Sequence, residues 1–453
     1  MTAAPRAAAG PSARAPLSAP QAFLVAFDTG DQGGPFGDRY FNTQALRVSG
    51  ELDTGALQGA LDDLARRHEA LRTILVRDDG EPYQEVRAAT PVPLVTSRLP
   101  AGPGPERDRR AEEFVNEVEA GTIQAGRTPL LRAHLGRFDD TDAVLVLIAH
   151  HIATDGWSMR LLVRDLGALY AARLGGPDGL AEAPGYRDWT ARQHGPAAAA
   201  AIAGHREYWS RKLAGARTLG LPLDHPGPAG GDKVTATYRF VVAPGLSTAA
   251  ARFAASSRCS MFMVLMAAYN GLLARRSGNT DVVTPTITAG RAEAEFADTV
   301  GAFFNFVPLR TDLTDCATWR DVLARTRATC IEAQSHEIPF AEIIPLAPTL
   351  MEAFAADDIA VGAMQVFQNP FGATGGLGPA RFAQIRDRRM FQPVSSHIPN
   401  GILWTLEVDP AAGMVGAVKF SSTEFRAATI ADLVAEFQET LRTLVTTPDA
   451  PVG

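Results

Sequence analysis

Apolar residues recur along this chain with two periods, and the two alternate. The aliphatic run at 143–149, AVLVLIA, is bounded by charge and predicts a strand buried on both faces. A few residues later MRLLVRDLGALYAARLGG sets Leu162, Asp165, Leu166 and Leu169 at three- and four-residue spacings, which predicts a helix. The same helical spacing joins Ala56, Leu57, Ala60, Leu61 and Leu64, so a helix is expected over 53–71, opened by the capping pair Asp53-Thr54. A second helix, rich in Glu and Arg, is expected over about 107–124, and short strands at 42–48, 72–76 and 130–137.

Near residue 175 the texture breaks at Leu174-Gly-Gly-Pro-Asp-Gly. Tyr186-Arg-Asp-Trp189 and an alanine-rich helix around 197–201 follow, then a Pro/Gly loop from His225. The alternation then resumes, with a strand at 237–242, one long helix over 247–276 and a buried strand at 281–288. No short repeat period runs through the chain, which excludes solenoids and propellers. The expectation is a mixed α/β protein of two similarly built lobes, 16–175 and 176–453. Residues 1–15, mostly Ala, Pro, Gly and Ser with scattered Arg, predict a disordered tail rather than a signal peptide.

Composition narrows the class. A chain of 453 residues exceeds one ordinary core, and 46% apolar with 21% charged residues describes a folded, soluble protein. A net charge of −7 argues against nucleic acid as a partner, and no apolar run is long enough to span a membrane. Three scattered cysteines supply neither a disulfide framework nor a metal site, so a cytoplasmic, reduced protein without metal is expected.

Reactive groups concentrate in one place, His150-His151-Ile152-Ala153-Thr154-Asp155-Gly156, on the loop joining the buried strand to the helix. Alternation along a strand sends neighbouring side chains to opposite faces, so one imidazole at most faces a given cavity. His151 is read as reactive and His150 as a packing residue. Asp155 either orients an imidazole, as in a triad, or pairs with a cation that holds the loop; the second reading is favoured because an unpaired buried charge is costly. Gly156 suits a sharp turn or a close approach to substrate. Ser158 either caps the following helix or lines a substrate path, and Asn369 either contacts substrate or caps a turn before Pro370. The run Arg386-Asp-Arg-Arg389 reads as solvated surface or as a dock for an acidic partner.

With these residues in place, the chain resembles the condensation-domain family of nonribosomal peptide synthesis, related to chloramphenicol acetyltransferase. Leu17-Ser-Ala-Pro-Gln21 resembles the family's opening motif in degraded form, and Arg67-His-Glu-Ala-Leu-Arg-Thr73 is similar to the second almost letter for letter. His150 to Ser158 matches the third, Tyr186-Arg-Asp-Trp189 with Gln193 the fourth, Val300-Gly-Ala-Phe-Phe-Asn305 with Pro308-Leu-Arg310 the fifth, His336-Glu-Ile-Pro-Phe340 the sixth and, more weakly, Gln368-Asn-Pro370 the seventh.

The resemblance implies two acetyltransferase-like lobes in a V, with a tunnel between them, a floor at about 291–308 and a latch at about 370–400. It implies a free-standing acyltransferase that takes an acyl or aminoacyl thioester from the phosphopantetheine arm of an acyl or peptidyl carrier protein. The acyl group would pass to the amine or alcohol of a small-molecule acceptor, with no bound cofactor, as in ester- and amide-forming members of actinomycete natural-product pathways such as those to enediynes. The resemblance gives the chemistry to His151 and makes Asp155 structural, paired with Arg291 of Ala289-Gly-Arg291. Ser158 and Asn369 would line the tunnel. A neutral imidazole has the right pKa to take the proton of an alcohol, whereas an amine needs little more than positioning. The Gly156 N–H is a candidate contact for the oxyanion or thioester. A CoA-dependent O- or N-acyltransferase, an epimerisation domain and a non-catalytic domain that recruits partners to a carrier protein share parts of this pattern. Motifs two, five and six, a missing extra acidic residue in the second lobe and the intact histidine motif count against these three in turn.

Overall fold

The computed structural model describes residues 14–78, 80–177, 179–227, 233–368, 374–398 and 401–452. The aliphatic run forms the strand Asp142–His150, buried at every position after Asp142. It lies between Phe41–Ser49 and Leu131–Arg137 in a six-stranded sheet completed by Leu94–Arg98 and by two strands from far along the chain. Both faces are covered, which is why the run does not alternate. Leu145, Leu147 and Ala149 pack under the helices Thr54–Arg67 and Gly156–Arg173, while Val144, Val146 and Ile148 pack under Gly104–Glu119.

Thr54–Arg67 is shorter than the helix expected over 53–71. His68 is extended (φ −103°, ψ 101°) and residues Glu69–Arg72 form a 3-10 turn. Gly104–Glu119 likewise stops five residues before the expected end.

The second sheet runs in the order Asn305–Asp312, Asp281–Thr288, Ile359–Gln368, Ile402–Asp409, Gly413–Ser421, Thr235–Val241, with Gly220–Pro222 added against Ile359–Gln368. Its core is packed by Met261–Ser277, Trp319–Ser335 and Ala427–Thr446. The single helix expected over 247–276 is two, Pro244–Ser256 and Met261–Ser277. The chain turns at Arg258 (φ 53°) and restarts at Ser260, whose hydroxyl accepts the Met263 N–H at 3.2 Å. The polar run Ser256-Ser-Arg-Cys-Ser260 marks that break in the sequence, and Ser260 is a capping residue type.

Packing does not divide at residue 175. Tyr186, Trp189, Phe296, Val300, Phe303, Leu377 and Phe382 all belong to the core of the first lobe. Ala380–Gln384 extends the first sheet by pairing antiparallel with Phe41–Ser49, so a hairpin from the second half is built into the first. Nor are Arg14 and Ala15 part of a loose tail, because Arg14–Pro16 pairs with Tyr83–Val86. Between the two sheets lies a cavity of about 1200 Å³ walled by both.

Candidate active site

The strand carrying the motif ends at His150, and its two histidines diverge there. His150 is fully buried. Its Nε2 lies 3.2 Å from the Gly37 carbonyl and its Nδ1 accepts the Ile152 N–H at 3.3 Å, so both ring nitrogens serve the loop in the neutral form. Burial pushes its pKa down to about 3.

His151 lines the cavity. Its backbone N–H donates to the Tyr40 carbonyl at 2.9 Å, and its ring is stacked on the Tyr40 ring (4.7 Å, 13°) with Phe304 edge-on at 5.4 Å. Nδ1 is buried without a hydrogen-bond partner, which leaves Nε2 as the nitrogen available to a molecule in the cavity. Burial lowers the pKa of His151 and the charge of Lys419 lowers it further, against a smaller opposing pull from Asp155 and nearby backbone. At neutral pH the imidazole is therefore neutral, with a lone pair free to take a proton.

Asp155 is spent on architecture. It is the N-cap of Gly156–Arg173, accepting the Ser158 N–H at 2.7 Å, and its other oxygen accepts the Phe303 N–H at 3.1 Å. Arg291 Nη2 stands 3.3 and 3.4 Å from the two oxygens. The Arg291 side chain, 4% exposed, also donates to the carbonyls of Phe296 (2.9 Å) and Thr299 (2.7 Å) and packs 3.8 Å over the Phe303 ring. One guanidinium thus folds the segment after Asp281–Thr288 into shape and ties it to the histidine loop.

Ser158 departs from both readings of it. Asp155 holds the capping position, and Ser158 is fully buried away from the cavity. Its hydroxyl donates to the Gly301 carbonyl (2.8 Å) and accepts from the Gly301 N–H (3.0 Å) and from Arg291 (2.9 Å). Asn369 lies outside the described residues.

Gly156 opens the helix at the cavity wall, where first-turn N–H groups have no intrahelical partner. A Cβ there would stand 2.7 Å from two atoms of the Phe367 ring, so only glycine lets the helix start and that ring share the wall.

The other motifs mostly hold one another. Arg67 and His68 both reach the buried carboxylate of Asp165 at 3.0 Å. The Tyr186 hydroxyl donates to the Ala302 carbonyl at 2.7 Å and lies 2.8 Å from the Ser18 hydroxyl, joining the first, fourth and fifth motifs. Asn305 donates to Glu337 Oε1 (3.0 Å) and to the Ile338 carbonyl (2.9 Å), joining the fifth to the sixth.

Tyr40, Phe304, Phe367 and Lys419 were not singled out in the sequence. For Lys419 a signal exists: it is a charge among apolar neighbours on one face of an alternating strand. The run at 386–389 is not one surface either. Arg386 and Arg388 turn inward to Glu407 and Glu119, and only Asp387 and Arg389, paired with each other, are largely exposed. Among the described residues no group of His, Cys, Asp and Glu is arranged to hold a metal, and no helix is long and apolar enough to cross a membrane.

A family model described as "Condensation domain" matches residues 15–453. The structure is similar to that of SgcC5 from Streptomyces globisporus, determined in complex with (R)-(-)-1-(2-naphthyl)-1,2-ethanediol and sucrose. The TM-score is 0.92 at 42% identity, covering 96% of this chain and 100% of that one. The X-domain from teicoplanin biosynthesis matches with a TM-score of 0.78 at 25% identity over 98% of each chain. By sequence, chondramide synthase of Chondromyces crocatus is 32% identical over 413 residues, which is 90% of this chain and 10% of that protein. The chain thus spans a small part of this curated relative.

Proposed function

The chain belongs to the condensation-domain family, with its two-lobed, chloramphenicol-acetyltransferase-like fold, and we propose that it is a free-standing enzyme joining a carrier-bound acyl thioester to a small-molecule amine or alcohol. The observation that carries this reading is His151: a neutral imidazole, held by Tyr40 and Phe304, with one nitrogen open to a cavity between two lobes.

In the proposed step the acceptor oxygen or nitrogen attacks the thioester carbonyl while His151 Nε2 takes its proton. The tetrahedral oxyanion forms beside the first turn of Gly156–Arg173, where the Gly156 N–H and the positive end of the helix dipole favour negative charge. Collapse breaks the C–S bond, and the imidazolium returns the proton to the departing thiolate of the phosphopantetheine arm. Asp155 and Arg291 take no proton in this scheme; they position the loop. An alcohol needs the base more than an amine does. The diol held by SgcC5, 42% identical, supports an alcohol acceptor and an ester product here.

The test offers an acyl-loaded carrier protein, and separately the acyl-CoA, to matched amine and alcohol acceptors and identifies products by mass. The expected result is carrier-dependent transfer that falls on the order of a hundredfold or more in His151→Ala. Transfer undiminished in that variant refutes the role of His151. Transfer from CoA alone points to a CoA-dependent acyltransferase, and no transfer from either donor to a recruitment domain.

A further inference from the structure

We propose that the cavity contains a built anion subsite, formed by Lys419, Arg239 and Arg388, that receives the carboxylate of a small-molecule substrate while the reacting group sits at His151. This rests on the reading of His151 as the reacting centre.

The subsite follows from strand register. Lys419 stands opposite Thr237 and Leu403, and Arg239 opposite Ala417, two positions along on the same faces of their strands. Alternation therefore sends Thr237, Arg239, Ala417 and Lys419 to one side of the sheet, and all four line the cavity. Arg388, on the segment that follows the crossing hairpin, reaches the same wall.

Two of the three cations there hydrogen-bond one carboxylate, Glu119, and Glu112 adds a weaker electrostatic pull on Arg239. Glu119, at the end of Gly104–Glu119 and 7% exposed, accepts a bidentate pair from Arg388 (2.9 Å to each oxygen) and a further bond from Arg239 at 2.8 Å. The remaining partners are neutral: Asn116 for Arg388, Gln392 for Arg239, and the carbonyl and hydroxyl of Ser396 for Lys419. Arg388 Nε and Arg239 Nη1 are buried and make no hydrogen bond, although Arg388 is only 8% exposed. A buried cluster with more cations than carboxylates is costly in an empty cavity and favourable around an anion.

The field of the cluster reaches the rest of the site. Burial, and to a lesser extent Lys419, lowers the pKa of His151; burial, then Lys419, Lys233 and Arg39, lowers that of His397 on the same wall. Lys419 itself is pushed down to about 8 by burial and by the two arginines, against the pull of Glu119. A carboxylate beside it would hold it charged.

A carboxylate fits better than the phosphate of the carrier arm. With its thioester at His151, the arm sets that phosphate a full arm's length away, whereas Lys419 and His151 line the same cavity. Phe304 and Phe306, also on the cavity wall, offer a complementary surface to the rest of such a molecule.

Calorimetric titration of the whole protein tests this without requiring acyl transfer, so its failure is separable from failure of the transfer assay. The probes are 3-phenylpropionate against 3-phenylpropanol, and 4′-phosphopantetheine against pantetheine. The wild type is expected to bind the carboxylate about tenfold or more tightly than the alcohol, because a hydrogen bond to a charged group is worth that much. Lys419→Met should abolish that preference and Lys419→Arg should keep most of it, with melting curves confirming that both fold. Equal binding of acid and alcohol by the wild type overturns the subsite even if no variant folds. So does a preference that survives in a folded Lys419→Met, or one seen only for phosphopantetheine over pantetheine.

Discussion

Removing the charge of Asp155 separates the architectural role from a catalytic one. In Asp155→Asn the amide oxygen can still cap the helix, but the Arg291 guanidinium, 4% exposed, loses its only anionic partner among the described residues. Stranding a buried charge in this way costs about 3–5 kcal/mol, part of it offset here by the carbonyls of Phe296 and Thr299 and by Ser158, which still accept from Arg291. A loss of about 2–4 kcal/mol is expected, a large share of the roughly 5–15 kcal/mol that holds a domain folded. Arg291→Met should cost a similar amount by the opposite route, leaving the carboxylate with the N–H groups of Ser158 and Phe303 alone. The double variant buries no net charge, so the two changes should fall short of additivity by about 2 kcal/mol. Urea unfolding followed by tryptophan fluorescence gives all three numbers, and transfer activity is measured on the same samples at equal folded concentration. An Asp155→Asn protein as stable as the wild type but as inactive as His151→Ala would refute the reasoning, because the carboxylate would then act on the chemistry itself.

His150 titrates at about 3 in the fold and near 6.5 in the unfolded chain. Below 6.5 the unfolded chain takes up the extra proton, so stability is lost as pH falls, by about 1.4 kcal/mol per unit and about 2 kcal/mol by pH 5. His150→Asn, which can keep both hydrogen bonds, should flatten urea midpoints between pH 7 and 5 by that amount; equal slopes would count against it. The acid limb of kcat/KM should lie below the usual imidazole value, since burial and Lys419 both lower the pKa of His151, and Lys419→Met should move it up. A limb at or above 6.5 in the wild type contradicts the assigned base. Gly156→Ala puts a Cβ 2.7 Å from the Phe367 ring and should cost about 1–3 kcal/mol together with activity. Phe367→Ala in the same chain should restore the stability, and a double variant no more stable than Gly156→Ala would exclude that clash.

Much of the fold was legible because period reports burial directly. The strand at 281–288 was placed to the residue, and the one at 143–149 within one residue at each end. Positions that depend on backbone angle were not legible. Asp155 and Ser158 both have capping side chains, and only the extended backbone of Asp155 (φ −122°, ψ −179°) decides which one caps. Contacts between distant segments were less legible still. Asp155 and Arg291 are 136 residues apart, and nothing in their spacing links them; the family pattern did. The pairing of Ala380–Gln384 with Phe41–Ser49 depends on a register that no local pattern encodes.

The motif residues explain why the likeness to other chains runs over nearly the whole length while leaving the substrate open. Ser18, Tyr186, Arg291 and Asn305 bind other motifs or the loop that carries His151, and Arg67 and His68 bind Asp165 on the helix that follows it. Their side chains are committed to holding a histidine at a cavity, a task independent of what enters it. The surfaces a substrate would touch include aromatic rings at Phe304, Phe306 and Phe367 and cations at Arg239, Arg388 and Lys419, all lining the cavity. Of these six positions and His151, only His151 and the Phe304 position fall within a motif. Exchanging Phe306, Arg239, Arg388 or Lys419 should therefore change which acceptor is taken while leaving the His151 loop intact. Exchanging the interlocked motif residues should destroy transfer for every acceptor alike.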